Sequence, residues 1–384
     1  DVCSSDLWVK KNGINHYGYK NSICIDVDHG FIRRYAVTPA NVHLITQLAP
    51  PSPVAPRLGW YACTGSVMAR NGIQFQKGLS LPEFLRLYGA EPQCEAALEK
   101  ARWPHGFRCP RCSGQEHGLV HGRRLKRYQC RACGHQATVT AGTIMQATKL
   151  PLTKWFLAFY LIGQAKTGIS SLELSRHLGV KYDTAWLLHN KILRAMSERD
   201  GAYLLRGTIQ LDDAYLGGER PGGKAGRGSE NKIPIVAAVS LNEAGNPIHI
   251  KITPLQSFSS DAIAAWASQN LAPGCAVLTD GLACFRSIVK AGCSHEAIVT
   301  GGKHPNKLPQ FRWINTLLGN LKTSLSGTFH AFDFGKYARR YLGGYCFRFN
   351  RRFAMAEMHK RIANAVCSCM PCNERDLRVA EAYG

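Results

Sequence analysis

Acid is scarce in this sequence. Its 384 residues hold 26 Asp and Glu against 48 Lys and Arg, a formal net charge of +22. That imbalance is a statement about partners: nucleic acid first, an anionic membrane surface second. Long apolar runs are also missing. The best, Trp155 to Ile162, stops far short of the ~18–20 residues of a spanning helix and is followed by Gly, Gln, Ala and Lys. No membrane partner is expected. Asp1 to Leu7 has neither the basic head nor the apolar stretch of a secretory signal. There is no fixed-period repeat. The glycine-rich run Gly217 to Gly228 lacks the G-x-x-x-x-G-K-[ST] of an ATP loop and reads as a flexible basic loop. What is present excludes disorder: 45% of residues are apolar, enough for a sizeable core. The length suits two or three domains at ~100–200 residues each.

Cysteine is plentiful at 15, an odd number, with four in two tight pairs. In a long chain this fits a reducing cytosol and a metal site better than a secreted disulfide framework. Cys109-Pro-Arg-Cys112 and Cys130-Arg-Ala-Cys133 form C-x2-C-x17-C-x2-C. Each tight turn presents two sulfurs to one ion, and two such turns complete a tetrahedral shell suited to Zn2+. A closed four-cysteine shell is structural, so a zinc ribbon is expected over 103–145. Buried free thiols or a redox pair are the alternatives. Arg102, Arg108, Arg111, Arg123, Arg124, Lys126, Arg127 and Arg131 surround the knuckles, against the single acid Glu116. So many positive charges on a small module favour phosphate contact over a merely solvated face.

Leu81–Leu87 and Pro92–Arg102 carry helical periodicity, as does the apolar Thr153–Gln164. Ser170–Leu178, then Gly179, then Lys181 to about Met196 read as helix, tight turn, helix within a region 150–200. Ser170 or Ser171 caps the first helix, whose inner face is Leu172, Leu174 and Leu178. The second helix should expose Lys181, Tyr182, Thr184 and Lys191 and bury Ala185, Leu188 and Ile192. A DNA-reading helix offers polar side chains in this way. Many helical hairpins share the pattern, and the basic neighbourhood is what favours DNA.

Past Gly207 the pattern turns to strands: Thr208–Leu211, Ile233–Leu241 and Pro247–Thr253. Helices are expected at Ser260–Asn270 and Leu282–Ala291, and strands at Cys275–Thr279 and Ala297–Thr300. Long helices should cover about Phe311–Leu325 and Phe334–Phe353. This order predicts an α/β layer with a mixed sheet. Ile209-Gln-Leu-Asp212-Asp213 and Cys275-Ala-Val-Leu-Thr-Asp280 read as strands ending in acids, so Asp212 and Asp280 can meet at neighbouring strand ends. A lone Asp after a strand is a turn residue. Two of them in a basic chain suit Mg2+, which keeps few protein ligands. Asn315 and Lys322, seven apart, share one helical face. Asn offers a neutral oxygen to a metal and Lys a point charge to a phosphate. Tyr345 to Phe353 interleaves aromatics with Arg348, Arg351 and Arg352.

These motifs carry a resemblance. Residues 68–362 are similar to insertion-sequence transposases with an N-terminal zinc ribbon, a helix-turn-helix and an RNase H-like catalytic domain of Asp-Asp-Glu/Asn type. The match runs in the family's order: the C-x2-C pairs, Asp212-Asp-Ala-Tyr-Leu-Gly-Gly, Gly226-Arg-Gly-Ser-Glu-Asn-Lys232, Thr279-Asp280-Gly, Trp313-Ile-Asn315 with Lys322, Gly327-Thr-Phe-His330, and Arg348-Phe-Asn-Arg-Arg352. It implies an RNase H-like mixed-sheet domain over 205–362, preceded by the ribbon and the helical region. It implies catalytic roles for Asp212, Asp280 and Asn315 with Mg2+ or Mn2+, and Lys322 on DNA. Asp213 stands where a second acid often follows the catalytic one. Asn315 replaces the Glu of the wider superfamily, as in a subgroup of similar proteins, and a neutral ligand binds metal more weakly.

The partner implied is double-stranded DNA, at element ends and at the target, bound by a homo-oligomer in the cytoplasm on the nucleoid. DNA contacts are expected from Arg123, Arg124, Lys126, Arg127, Lys181, Tyr182, Thr184, Lys322, Arg351 and Arg352. The alternative is an inactive DNA-binding regulator derived from such an enzyme.

The start of the chain reads differently. Asp1 to Leu7 resembles a translated sequencing adapter, and residues 8–48 resemble a fragment of a different insertion-sequence transposase family. Ala49 to Pro56 is a Pro-rich join. Residues 1–67 are therefore expected to be a fused leader and Met68 the native start. Residues 68–102 would be a short helical segment, and 363–384 a mobile tail holding Cys367, Cys369 and Cys372.

Overall fold

The computed structural model describes residues 77–120, 124–217, 232–298, 308–329 and 333–381, together with the backbone of four strands before residue 40. Residues 1–68 and 69–384 are two compact units. In the first, β1 (Trp8–Lys11) pairs antiparallel with β2 (Ile14–Tyr17), and β3 (Tyr19–Ile25) with β4 (Ile32–Pro39). Arg123, Thr300, His330, residues 226–231 and nearly all of the Gly217–Gly228 run lie outside the described residues.

The second unit opens with α1 (Leu81–Tyr88) and α2 (Glu91–Arg102). Ser80 caps α1 by accepting the Glu83 N–H, and Pro82 sits in the first turn, where no backbone donor is lost. The ribbon follows as a three-stranded antiparallel sheet: β5 (His117–Val120), β6 (Arg127–Cys130) and β7 (Gln136–Ala137).

Next come α3 (Leu152–Gln164), α4 (Ser171–Leu178) and α5 (Tyr182–Gly201). The apolar α3 is the spine of a helical core. Trp155, Phe156, Phe159 and Ile162 pack there with Leu98 of α2, Leu174 and Leu178 of α4, and Leu188 and Ile192 of α5. Ser170 caps α4, and Gly179 takes the left-handed conformation (φ +60°) between α4 and α5, where a side chain would be strained. Leu172, expected inside, is 49% exposed: on so short a helix only Leu174 and Leu178 reach the core.

A five-stranded mixed sheet comes after. β8 (Thr208–Leu216), β9 (Ile233–Leu241) and β10 (Pro247–Pro254) form an antiparallel meander. Across α6 (Ser260–Asn270), β11 (Ala276–Thr279) returns to lie parallel beside β8, and β12 (Ser294–Ala297) lies parallel beside β11. Counted from β8, the spatial order is 3-2-1-4-5, the RNase H-like arrangement.

Three local expectations are corrected by pairing. β8 runs on to Leu216 because β9 matches all nine of its residues, so Asp212 and Asp213 lie within the strand. β12 is set by β11, Ala276 opposite Ser294 and Thr279 opposite Ala297, and so ends before 298. Ala283–Ala291 forms 3-10 turns, held by bonds such as Phe285 N–H to Leu282 C=O, 3.0 Å.

One sheet face packs on α6 and the 3-10 stretch, through Ile209, Leu211, Val236 and Ala238 with Trp266 and Phe285. The other packs on α7 (Arg312–Thr328) and α8 (Phe334–Asn350), through Ile235, Ala237, Val239 and Ile250 with Ile314, Leu317 and Leu342. α8 ends at Asn350, short of the expected Phe353, and a 3-10 turn follows. α9 (Met358–Ser368) joins the helical core through Met358, Ile362 and Val366. The expected mobile tail is instead packed. Cys369 is buried, its carbonyl accepts the Ile144 N–H at 2.8 Å, and α10 (Glu374–Arg378) is capped by Asn373.

Candidate metal centres and nucleic-acid face

The four ribbon cysteines converge. All four sulfurs lie within 4.8 Å of one another, with Cys109 to Cys133 at 3.7 Å and Cys112 to Cys130 at 3.5 Å. Four sulfurs at ~2.3 Å from one tetrahedral Zn2+ would sit about 3.8 Å apart, so the donor set fits zinc. The two knuckles are built alike. Ser113 N–H bonds back to Cys109 C=O and Gly134 N–H to Cys130 C=O, and both residues are left-handed, at φ +60° and +67°. A side chain at Gly114 would crowd the sulfurs, its Cβ lying 3.2 Å from Cys130 Sγ. Trp103, Phe107 and Tyr128 form the small core beneath, with Trp103 and Tyr128 edge to face at 4.8 Å.

The second cluster is carboxylate. Asp212, Asp213 and Asp280 each bring an oxygen within 4.8 Å of the others, all half-buried. Register explains the convergence. Leu278 of β11 lies opposite Gln210 of β8, and Asp280 and Asp212 each follow two residues later, so they emerge side by side on one face. Gly281 (φ +96°) turns the chain away directly after Asp280, and Asp280 Oδ1 accepts the Leu282 N–H at 3.3 Å. Alternation puts Asp213 on the other face, with Tyr215, whose ring meets Phe258 at 5.5 Å. Like charges so close raise the energy of the cluster unless a cation joins it.

Gln210 is a residue the sequence reading passed over. It is buried, and its Oε1 accepts the Ile314 N–H at 3.0 Å. Being two residues before Asp212, it shares that residue's face and ties the start of α7 there. Asn315, next in the chain, is half-buried, and its Nδ2 donates to Phe311 C=O at 2.9 Å, which leaves Oδ1 as the group on offer. Lys322 lies two turns further along α7 and is exposed. The available signal was one polar residue in the apolar run Ile209-Gln-Leu.

The basic residues divide into two groups. Lys126 is half-buried with its amine 3.9 Å from Glu99, while Arg108, Arg111, Arg127 and Arg131 are exposed. Lys181 and Tyr182 are exposed at the start of α5, and Thr184 and Lys191 are half-buried; Ala185, Leu188 and Ile192 are buried as expected. Four arginines donate to groups of the fold itself. Arg102 donates to the Thr138, Val139 and Ala141 carbonyls. Arg124 donates to those of Thr148 and Leu150. Arg351 pairs with Asp200 at 2.5 Å over the Phe347 ring. Arg352 holds the Pro247, Ile248 and Phe349 carbonyls. These four guanidiniums are ties between elements, a use that a count of charges does not reveal.

Two family models match this chain. The transposase zinc-ribbon domain matches residues 89–136, and the ISXO2-like transposase domain matches 204–350. A Halobacterium salinarum protein described as an uncharacterized protein in transposable element ISH50 is 27% identical over 167 residues, covering 39% of this chain and 55% of its own length. The chain thus spans about half the length of that curated relative. Among solved structures, a pre-cleavage Mos1 transpososome (10% identity, TM-score 0.17) covers 53% of this chain and 75% of its own. The Mos1 strand transfer complex (10% identity, TM-score 0.19) covers 57% and 79%. No helix among the described residues is long and apolar enough to cross a membrane. A zinc ribbon followed by an ISXO2-like transposase domain, with a relative from a transposable element, places this chain among the insertion-sequence transposases.

Proposed function

We propose that the chain binds the terminal inverted repeats of its element and carries out metal-dependent DNA strand cleavage and strand transfer there. The observation that carries this is the meeting of Asp212 and Asp280 on the sheet face that also holds the start of α7. Asp212, Asp280 and the Asn315 carbonyl oxygen would hold Mg2+ or Mn2+. A divalent ion so placed lowers the pKa of a bound water and steadies a leaving oxygen. Lys322 offers a point charge to the phosphate beside the scissile bond. Water attacks the phosphodiester at the element end and frees a 3′-hydroxyl. That hydroxyl attacks a target phosphodiester, one P–O bond forming as another breaks, so no nucleotide hydrolysis is required.

Zn2+ in the ribbon serves the fold. The exposed Arg127, with Lys126, and the Lys181, Tyr182 and Thr184 end of α5 form the DNA face. The working parts are the ribbon (103–145), the helix-turn-helix region (150–200) and the catalytic domain (205–362). Joining two ends needs an oligomer on DNA, on the nucleoid. Asn315 in place of a carboxylate favours one second reading, a DNA-binding regulator that does not cut.

Asp212→Ala separates the two. On a duplex carrying the element end, the parent cuts with Mg2+ and the variant does not, while both bind the end equally. Equal cutting by both, or cutting by neither, sinks the proposal.

A further inference from the structure

We infer that α5 is bolted to α8 at two levels, and that these polar ties set where the reading helix holds DNA relative to the carboxylates. The inference rests on the transposase reading above. α5 spans 20 residues, about 30 Å, from the exposed Lys181 and Tyr182 to the edge of the sheet.

The first bolt is Arg340, 97% buried, whose Nη1 donates to Asn190 Oδ1 of α5 at 3.0 Å. Its Nε pairs with Glu381 at 2.7 Å and its Nη2 donates to the Leu377 carbonyl at 2.6 Å, so the C-terminal segment holds the arginine in place. The second bolt lies ten residues on along both helices. Asp200 of α5 accepts from Asn350 Nδ2 at 2.8 Å and pairs with Arg351 at 2.5 Å. Between the bolts two glycines of α8 let α5 side chains pack close against its backbone. A Cβ on Gly343 would fall 2.4 Å from Ser197 Cβ, and one on Gly344 2.5 Å from Leu193 Cδ2. Two bolts with glycine contact between them resist sliding and rolling alike.

The second bolt continues into the sheet. Asn350 also takes both backbone groups of Ile250, N–H at 2.8 Å and C=O at 3.1 Å, as a strand partner would on the edge strand β10. Ile250 lies opposite Val239, Val239 opposite Gln210, and Gln210 opposite Leu278. One rung, about 10 Å from Ile250 to Gln210 at the usual strand spacing, therefore joins the end of α5 to Gln210, which holds Ile314 beside Asn315 and precedes Asp212 by two residues. Asn190, Arg340, Asp200, Asn350 and Arg351 are positioning residues that act through this frame.

The test uses the full chain with Asp200→Asn, which keeps the side chain's shape and removes the ion pair. End binding is read by mobility shift and cut positions by a sequencing gel with Mn2+. Hydrogen exchange is read over residues 194–201. The expected result is unchanged end binding, faster exchange at the end of α5, and cutting at the parent phosphodiester reduced on the order of tenfold to a hundredfold, with new cuts one or two nucleotides away. Arg351→Lys, which retains the charge, should keep most cutting at the parent position; if D200N fails to fold, Asn350→Ser gives the same shift of cut position. Cutting at the parent position and rate by a folded D200N overturns this inference alone. Loss of binding and cutting together with no new cut sites makes the residue merely structural and also overturns it. No cutting by the parent overturns the transposase reading as well, and the exchange result then stands apart as a fact about α5.

Discussion

The ribbon and the sheet each gather three or more metal-type ligands within 4.8 Å, and the two clusters are built on opposite principles. Four thiols are delivered by two local knuckles, each closed by its own backbone bonds, over an aromatic core that touches the sulfurs. The carboxylates come from β8 and β11, 68 positions apart between Asp212 and Asp280, and only strand pairing brings them together. The first set is a full shell of four thiols, matched to one Zn2+. The second is incomplete and of one charge, with the sheet holding it in an arrangement the acids themselves oppose. Closed sites stabilise folds; open sites are stabilised by folds and leave room for substrate.

The largest effect should come from the ribbon. Structural zinc contributes on the order of 10 kcal/mol to such modules. Chelation, or Cys112→Ser, should therefore release hydrogen-exchange protection over 103–145 while the sheet keeps its own; a protected ribbon without metal breaks the contrast. Asp212→Ala should do the reverse. Cleavage falls on the order of a thousandfold, about 4 kcal/mol of transition-state stabilisation, while the melting temperature holds or rises as like charges are relieved. A large fall in melting temperature would make the acids structural too.

Acid tests the helical core apart from either cluster. Burial, with Arg348 nearby, pushes His189 down to about 3, and burial pushes His359 down to about 4, with Lys360 adding to it. Unfolded, both would titrate near 6.5. Below that the unfolded chain takes up protons the folded chain refuses, so stability is full above about 6.5 and falls as pH drops toward the folded values. Each histidine should cost about 2 kcal/mol between pH 7 and 5. Urea unfolding of the zinc-saturated protein measures this, and His189→Gln should remove its share of the slope. Smaller still, Asn315→Asp should lower the Mn2+ concentration for half-maximal cutting about tenfold, about 1.4 kcal/mol; no change removes Asn315 from the ligand set. Least of all, Arg127→Ala should leave melting alone and lower the salt slope of DNA binding by about 1, since its exposed side chain supports nothing.

Local patterns were legible because neighbours in sequence create them. The two C-x2-C turns, the Ser170 cap, Gly179, the span of β9 and the span of α6 follow from nearest residues, and the structure repeats them. Long-range pairing rewrote what depended on distant partners. β8 outran its expected end because β9 continued beside it, and the C-terminal segment became ordered because Arg340 and the helical core receive it. Charge was the least legible feature. The composition does not reveal that Arg102, Arg124, Arg351 and Arg352 also donate to carbonyls or pair with Asp200 within the fold. An arginine's partner is chosen by what lies within its reach after folding.

The amino-acid sequence by itself determined the donor types and their spacing: four thiols for one closed shell, acids on strands, and an amide and an amine on one helical face. Those follow from covalent order and the periods of helix and strand. Only the tertiary structure decided that Asp280 stands beside Asp212, that Gln210 anchors α7 there, and that α5 is tied to the same frame through Asp200 and Asn350. Each of those is a contact between residues distant in sequence, set by strand register and helix packing, which no local pattern encodes.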